Sequence, residues 1–477
     1  MMEESSALAG HPEHVPVDAA DVAAAVGRGT RVLIVLDDDP TGTQSVADLP
    51  VLTSWETADF DWALAQGAPA VYVLTNTRSL DPESAARRNR EIVAHATSAA
   101  ADAGTPIAFV SRGDSTLRGH YPLETDVIEE TVRESTGHGF DAVLLVPAFP
   151  DAGRVTIGGV HFMRSPDGLI PIAETEFARD ATFGYASSDL ADYVAEKTQG
   201  RWSAEQVVRL DLSVLRGGVD GIVRALLPLT GSVPVVVDAV TEDDMRLLAL
   251  GLAAAEEQGK RFLFRVGPPF VRARIGQEVH PPLTAQDVFG TDGSDAVGGL
   301  IVVGSHVGLT SRQLAVLTAQ GALERTLEID VEAVLAEDAA HLDGIVHAAV
   351  DALGRGDVAV HTSRLLRRTD DKDESLDISR RVSTAVVGVV QRVLSRRHPR
   401  FVIAKGGITS SDVATHGLGI RRAIVRGPML PGIVSLWEPV DGPARGIPYI
   451  VFAGNVGDDD SLAAVVSTLT RPTPAVA

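Results

Sequence analysis

Residues 32–46 read VLIVLDDDPTGTQSV. The apolar run Val32–Leu36 is rich in β-branched residues and has no polar face, the pattern of a parallel strand covered on both sides. It ends in Asp37, Asp38 and Asp39, followed by Pro40, Thr41, Gly42 and Thr43. Carboxylates at the carboxyl end of such a strand stand where open α/β sheets hold their ligands. The plainer alternative is a solvated turn with one Asp capping the next helix. Three adjacent acids repel one another in such a turn, which argues against it.

The same pattern recurs outward from this stretch. Ala70–Leu74 ends in Thr75, Asn76, Thr77 and Arg78, and Asp81-Pro82-Glu83 then reads as a helix start leading into Ser84–Ala103. Ile107–Val110 runs into SRGDSTLRGH at 111–120, and Ala142–Val146 into PAFPDAGR at 147–154. Val207–Leu210 and Val235–Val237 follow. After a Gly/Pro-rich break at 267–282 and an Asp/Gly/Ser-rich stretch, the pattern restarts with Leu300–Val303, Val358–His361, Phe401–Ala404, Ile433–Leu436 and Ile447–Phe452. Strands alternating with helical segments predict an α/β fold of two domains with mainly parallel sheets. The boundaries expected are a loosely ordered lead-in over 1–30, with only Ala19–Val26 helical, a first domain over 31–283, a linker over 284–298 and a second domain over 299–477.

A chain of 477 residues exceeds one ordinary core. Its 42 Lys plus Arg against 64 Asp plus Glu, a formal charge of −22, provide no basic footprint and exclude nucleic acid as the expected partner. With no cysteine, disulfides, thiolate catalysis and thiolate metal sites are excluded. No apolar run approaches membrane-spanning length and residues 1–29 do not read as a signal peptide, so the expectation is a cytoplasmic protein without a membrane partner.

In so acidic a chain, arginines at strand ends call for explanation. Arg112, Arg118 and Arg154, with Asp114 and Ser115, suit capture of a small anion, because guanidinium binds carboxylate bidentately and keeps its charge. The competing reading is structural pairing with acids such as Asp114 or Glu124. Together with Asp38 and Asp39, these arginines would hold an acidic substrate at one end and its hydroxyl at the other, the layout of a polyhydroxy-acid kinase. His120 and His161 are candidates for hydrogen bonds to substrate hydroxyls, or plain loop hydrogen-bonders. In the second half, Gly304-Ser305, Lys405-Gly406-Gly407-Ile408-Thr409-Ser410 and Gly454-Asn455-Val456-Gly457 are strand-to-helix turns whose amides can approach a phosphate. Each alone is an ordinary tight turn; three in one domain point to a nucleotide. Neither GxxxxGK[ST] nor GxGxxG occurs, so no Walker-type or dinucleotide site is expected.

The set DDDPTGTQ (37–44), RGDSTLRGH (112–120), VPAFPDAGR (146–154), GSHVGLTSRQ (304–313), KGGITSSDV (405–413), GLGI (417–420) and AGNVG (453–457) resembles the four-carbon acid sugar kinase family, in order and from about Arg31 to Leu469. The resemblance implies an ATP-dependent kinase that phosphorylates the terminal hydroxyl of a tetronate or 3-oxo-tetronate, with sugar acid in the N-terminal domain, ATP in the C-terminal domain, Mg²⁺ on the phosphates and the active site in the cleft between them. It places the acidic motif on Asp38, Asp39, Thr41 and Gly42 and the arginine loop on Arg112 to Thr116 with Arg118 and His120. It places the ATP site on Ser305, Gly406, Gly407, Ile408, Thr409 and Gly454. The chain departs from the family at Ile408, where GGETSG is common, at His306 and Gly308, and at the three-acid Asp37-Asp38-Asp39 with Gln44. The mechanistic expectation is that Asp38 or Asp39 orients or deprotonates the hydroxyl while Arg112, Arg118 and Arg154 hold the carboxylate. The alternatives are a metal-dependent aldolase or hydrolase and a non-catalytic sensor of sugar acid and nucleotide. Metal ligands, stereochemistry and homo-oligomerisation are left open.

Overall fold

The computed structural model describes residues 2–27, 31–290, 296–363 and 372–470, and in the helix Lys372–Leu394 the side chains from Ile378 onward. Part of the expected linker 284–298 lies outside the described residues. The chain forms two compact α/β units, Met1–Val279 and His280–Ala477.

The first unit contains β1 Val32–Asp37, β2 Leu49–Leu52, β3 Ala70–Leu74, β4 Ile107–Arg112, β5 Ala142–Val146, β6 Arg154–Ile157, β7 Val160–Ser165, β8 Gly168–Pro171, β9 Val208–Leu210, β10 Val233–Val237 and β11 Phe262–Val266. Among the described residues its main sheet runs β2-β3-β1-β4-β11-β5-β10-β9, all neighbours parallel. These strands read as unbroken apolar runs because both faces are covered. One face packs Ile34, Leu36, Val71, Val73 and Phe109 against Ile92, Val93 and Ala96 of the helix Pro82–Ala103. That helix starts as the sequence predicts: the Asp81 carboxylate accepts from the Ser84 amide at 2.9 Å, Pro82 fills the first turn, and Gly104 ends it at φ +63°. A small antiparallel sheet, β6-β7-β8, forms an excursion after β5.

Two expectations need correction here. The lead-in is docked rather than loose: Ala19–Val26 is indeed helical, but it buries Ala19, Val22 and Val26, packs on Ala249, and is preceded by a Glu4–Arg164 ion pair at 2.6 Å. The Gly/Pro-rich break read at 267–282 begins inside the first unit, where Gly267 follows the central strand β11 and Pro268–Pro269 start the helix Pro269–Arg274.

The second unit contains β12 Leu300–Val303, β13 Leu323–Ile329, β14 Asp357–Thr362, β15 Val402–Lys405, β16 Arg422–Leu430, β17 Ile433–Pro439 and β18 Tyr449–Phe452. Its order among the described residues is β13-β14-β12-β15-β18-β17-β16, parallel through β18 and closed by two antiparallel strands.

Each unit has a switch point beside its first strand, from which the chain leaves first to one side and then to the other. In the first, the chain winds from β1 outward to β2 and β3, then crosses to β4 on the other side of β1. In the second it winds from β12 to β13 and β14, then crosses to β15. Such a switch point parts the loops beyond the strand ends and opens the crevice in which doubly wound sheets bind ligands. Asp37 and Arg112 face each other in register across the first switch, Val303 and Lys405 across the second.

Candidate functional site

At the first switch point the strand ends meet in a dense ionic cluster. Arg112, last residue of β4 and 2 % exposed, lies 3.1 Å by Nε from Asp37 Oδ1 and donates by Nη1 to Asp38 Oδ1 at 3.1 Å. The Asp37 contact lacks hydrogen-bond alignment, so it is purely coulombic. Arg78, just after β3, closes the other side, donating from Nη2 and Nε to Asp38 at 2.5 and 3.2 Å and from Nη1 to Asp39 Oδ2 at 3.4 Å. Gly42 has to be glycine: a Cβ there would collide with the Asp37 carboxylate and lie 2.5 Å from Arg112 Nε.

The three consecutive acids occupy different electrostatic states. Burial pushes Asp37 up to about 7 against the pull of Arg112. Burial also raises Asp38, opposed by Arg78 and Arg112. Asp39 feels burial too, but Arg78, Arg112 and hydrogen bonds from Thr41 outweigh it and hold the carboxyl below its ordinary range. Its Oδ1 accepts from the Thr41 amide at 2.9 Å and hydroxyl at 2.6 Å, which caps the turn Pro40–Ser45. The two candidate catalytic acids thus differ in reach. Asp38 has both oxygens engaged by guanidinium and a side chain 2 % exposed, whereas Asp39 is 22 % exposed with Oδ2 held only by the long Arg78 contact.

The loop after β4 extends the cluster. Asp114 accepts from the Thr116 amide at 3.0 Å, the Thr116 hydroxyl at 2.5 Å and Arg118 Nε at 2.7 Å. Against the upward push of burial, Arg78, Arg118 and Thr116 hold its carboxyl well below the usual range. Leu117 sits at φ +67°, a conformation that a branched apolar residue adopts only when its surroundings impose it. Three ring donors do so by holding consecutive carbonyls: His161 Nε2 to Ser115 at 2.8 Å, Tyr185 hydroxyl to Thr116 at 2.8 Å and Tyr193 hydroxyl to Leu117 at 3.0 Å. His161, with burial lowering its pKa to about 4, is the neutral imidazole this requires, its Nδ1 accepting from Thr156 at 2.9 Å. His120 has a comparable structural task, Nε2–H donating to the Thr77 and Leu80 carbonyls at 3.1 and 3.0 Å with Phe183 edge-on at 4.9 Å. Arg154 opens β6, with its guanidinium 6.0 Å from the Phe177 ring that also carries Arg118 at 5.1 Å.

Two residues of this cluster escape the sequence reading. Arg78 was visible only as one of several polar residues after a strand. Arg265 lies within β11, a strand not anticipated, and donates to Glu124 at 2.6 Å and Ser111 at 2.8 Å. Its guanidinium fits because Gly113 and Gly119 lack side chains; a Cβ on either would lie 2.5 or 2.6 Å from it. An arginine in an apolar run followed by Gly-Pro-Pro was the available signal.

At the second switch point the turns converge on hydroxyls and amides. The Gly304 and Ser305 amides both donate to the Lys405 carbonyl, at 3.2 and 3.3 Å, and Gly406 donates to Phe452 at 2.8 Å. A Cβ on Gly304 would collide with Thr409 Oγ1, and one on Gly454 would lie 2.5 Å from Ser305 Oγ. Ser305, Gly406, Thr409 and Gly454 are therefore mutual neighbours, and Thr310 ties in the Gly454 carbonyl at 2.8 Å. Gly407 opens the helix Gly407–Asp412, and Ile408 on it is 60 % exposed. Lys405, fully buried, donates to the Ala453 carbonyl at 2.6 Å and lies 3.7 Å from the Phe452 ring. Burial alone lowers it to about 7. The Gly304, Ser305 and Gly406 amides are thus spent on strand carbonyls, and what remains for a phosphate is the hydroxyl pair of Ser305 and Thr409 beside Lys405, which has no ion-pair partner among the described residues. Among the described residues, no group of three or more His, Cys, Asp or Glu is placed to hold a metal ion, and no helix is long and apolar enough to cross a membrane.

Comparison with known proteins agrees with this division. A family model described as a sugar-binding N-terminal domain matches residues 33–274, and one described as a nucleotide-binding C-terminal domain matches 300–462. The chain is 26% identical over 461 residues to the D-erythronate kinase of Heliobacterium modesticaldum, covering 92% of this chain and 97% of that one. It is likewise 26% identical to the D-threonate kinase of Salmonella typhimurium over 362 residues, 73% of this chain and 77% of that one. Among solved structures, a Haemophilus influenzae protein superposes at a TM-score of 0.61 with 16% identity, covering 92% of this chain and 99% of that one. A protein of Salmonella typhimurium LT2 superposes at 0.64 with 19% identity, covering 91% and 98%. These two likenesses bear on the fold, two α/β units in series.

Proposed function

The chain belongs to the four-carbon acid sugar kinase family, and on that premise we propose that it transfers the γ-phosphoryl group of ATP to the terminal hydroxyl of a four-carbon sugar acid, a tetronate or 3-oxo-tetronate. One observation supports this most: the two switch points carry complementary chemistry, paired acids and arginines at the first, glycine turns with an ammonium free of carboxylates at the second.

Within this reading Asp39 rather than Asp38 meets the acceptor hydroxyl. Its side chain is partly exposed, while Asp38 is enclosed between two guanidiniums and keeps them in place. The hydroxyl oxygen attacks the γ-phosphorus, the bond from phosphorus to the ADP oxygen breaks, and the hydroxyl proton passes to Asp39. A carboxyl held below its ordinary range serves better to orient that hydroxyl and receive its proton late than to remove it beforehand, as a loose phosphoryl-transfer transition state permits. Ser305, Gly406, Thr409 and Gly454 would hold the phosphates of ATP. Mg²⁺, which neutralises phosphate charge when bound, needs only one or two protein carboxylates beyond phosphate and water.

The test is a screen of four-carbon acids, D-erythronate and D-threonate included, for ADP release by the purified chain with ATP and Mg²⁺. Turnover on at least one acid, absent without it, is the expected result. A panel that yields no ADP while the folded protein binds ATP would remove the kinase reading and leave a sensor.

A further inference from the structure

Five arginines join the cluster at the first switch point, and four of them already have carboxylate partners. Arg112 is held by Asp37 and Asp38, Arg78 by Asp38 and Asp39, Arg265 by Glu124, and Arg118 by Asp114 at 2.7 Å with Asp180 at 3.8 Å. Arg154 differs. Among the described residues no carboxylate lies within ion-pairing distance of it; there its Nη1 donates only to the Ala152 carbonyl, at 2.8 Å, and its buried Nε has no hydrogen-bond partner. The residue is half-buried, so its Nε is removed from water without a partner while the rest of the guanidinium, which carries no carboxylate, stays open to an arriving anion.

The residue is also built in rigidly. Phe149 and Arg154 exchange backbone hydrogen bonds at 2.8 and 2.9 Å, the Phe177 ring lies beneath the guanidinium, and β6 pairs with β7, whose His161 fixes the Ser115 carbonyl. Electrostatically Arg154 is linked to Asp114 and Arg118, and Asp114 in turn to Arg78 on Asp38 and Asp39. The cluster thus has two distinct ends: the acids after β1, suited to a hydroxyl, and an unpaired guanidinium at the start of β6, suited to an anion.

We infer that Arg154 is the receptor for the substrate's carboxylate and sets the preference for a sugar acid over an uncharged polyol, with Arg112 and Arg118 acting as structural partners of the acids. This rests on the sugar-acid reading above and narrows its anion contact from three arginines to one.

The test is calorimetric titration of the full chain, without nucleotide, against a four-carbon sugar acid and the corresponding uncharged tetritol. The parent should bind the acid at least tenfold more tightly. Arg154→Met should lose roughly tenfold to a hundredfold in acid affinity, the range for hydrogen bonds to a charged group, with tetritol affinity, ATP affinity and melting temperature unchanged. Arg154→Lys, which keeps the charge and loses the fork, should recover part of the loss. Arg154→Met binding the acid within about twofold of the parent would overturn the inference and leave the kinase reading standing, provided ADP is still released. A parent that binds no acid and releases no ADP would remove the kinase reading as well.

Discussion

Arg112 and Lys405 occupy the same place in two different units. Each is the last residue of a parallel strand, each borders a switch point, and each is buried, at 2 % and 0 % exposure. Their neighbours across the switch are opposites. Arg112 faces Asp37 in register and is charge-balanced by two aspartates, whereas Lys405 faces Val303 and has only a carbonyl and an aromatic ring. One topology thus supports two strategies. The first unit has a floor in which acids and guanidiniums balance one another. The second buries an amine that has no carboxylate partner among the described residues.

The largest effect that would break this comparison is on stability. Arg112→Met removes a guanidinium from between two buried carboxylates, and uncompensated buried charge of that kind costs about 3–5 kcal/mol. Lys405→Met loses one hydrogen bond, worth about 1 kcal/mol, but also removes the desolvation of an ammonium, so its net change should stay within about 1 kcal/mol. Urea unfolding of both variants near neutral pH measures the contrast. Equal losses would mean that the two buried cations are alike and that the ion pairs of the first unit do not carry its stability.

Next in size is an effect on turnover that separates the two acids. Asp39→Asn keeps an oxygen for the Thr41 amide and hydroxyl, so the turn survives while the proton acceptor is lost. Its kcat should fall about 10²-fold or more with little change in melting temperature, in keeping with general-base contributions of about 10²–10⁴. Asp38→Asn should lower stability as well as kcat, because Arg78 and Arg112 both lose a charge partner. If Asp39→Asn kept near-parental kcat and only Asp38→Asn impaired it, the assignment of the two acids would be reversed.

How much of this could be read from the sequence follows from the range of the interactions. Strand ends and their loops are local, so the acids after β1, the arginine loop after β4 and the glycine turns of the second unit stand out in the linear chain. Partnerships are not local. Arg265 meets Glu124 across 141 positions and His161 meets Ser115 across 46, and no pattern near any of these residues announces it. The strand β11 was hidden for the same reason: Arg265 interrupts its apolar run, and only the space left by Gly113 and Gly119, with Glu124 and Ser111 as partners, makes an arginine tolerable at the centre of a parallel sheet. The ion pairs of Arg112 and Arg118 are hard to read for the same reason, because their acidic partners Asp37, Asp38, Asp114 and Asp180 are distributed over three loops. Ala19–Val26 was legible as a helix, but its docking depended on three small apolar residues too few to signal burial.

The smallest predicted effect concerns pH and separates the two cations by titration. Asp37, raised to about 7, contributes stability that is present at low pH and lost as pH rises through that value, so little of its dependence remains in alkali. Lys405, lowered to about 7 from an ordinary 10.5, has the opposite sign. Between those values the unfolded chain holds a proton that the folded chain has released, so raising pH favours folding across that window. The ceiling is about 1.4 kcal/mol per pH unit for one group. Urea midpoints at pH 7, 8 and 9 should therefore rise for the parent relative to Lys405→Met, in which this contribution is absent. Saturating ATP should flatten the parent's slope, because phosphate charge near Lys405 favours the ammonium form and restores in the second unit the balance that Asp37 and Asp38 give Arg112 in the first. Parallel slopes for parent and variant would show that Lys405 stays charged in the free protein, and the contrast with Arg112 would then rest on geometry alone.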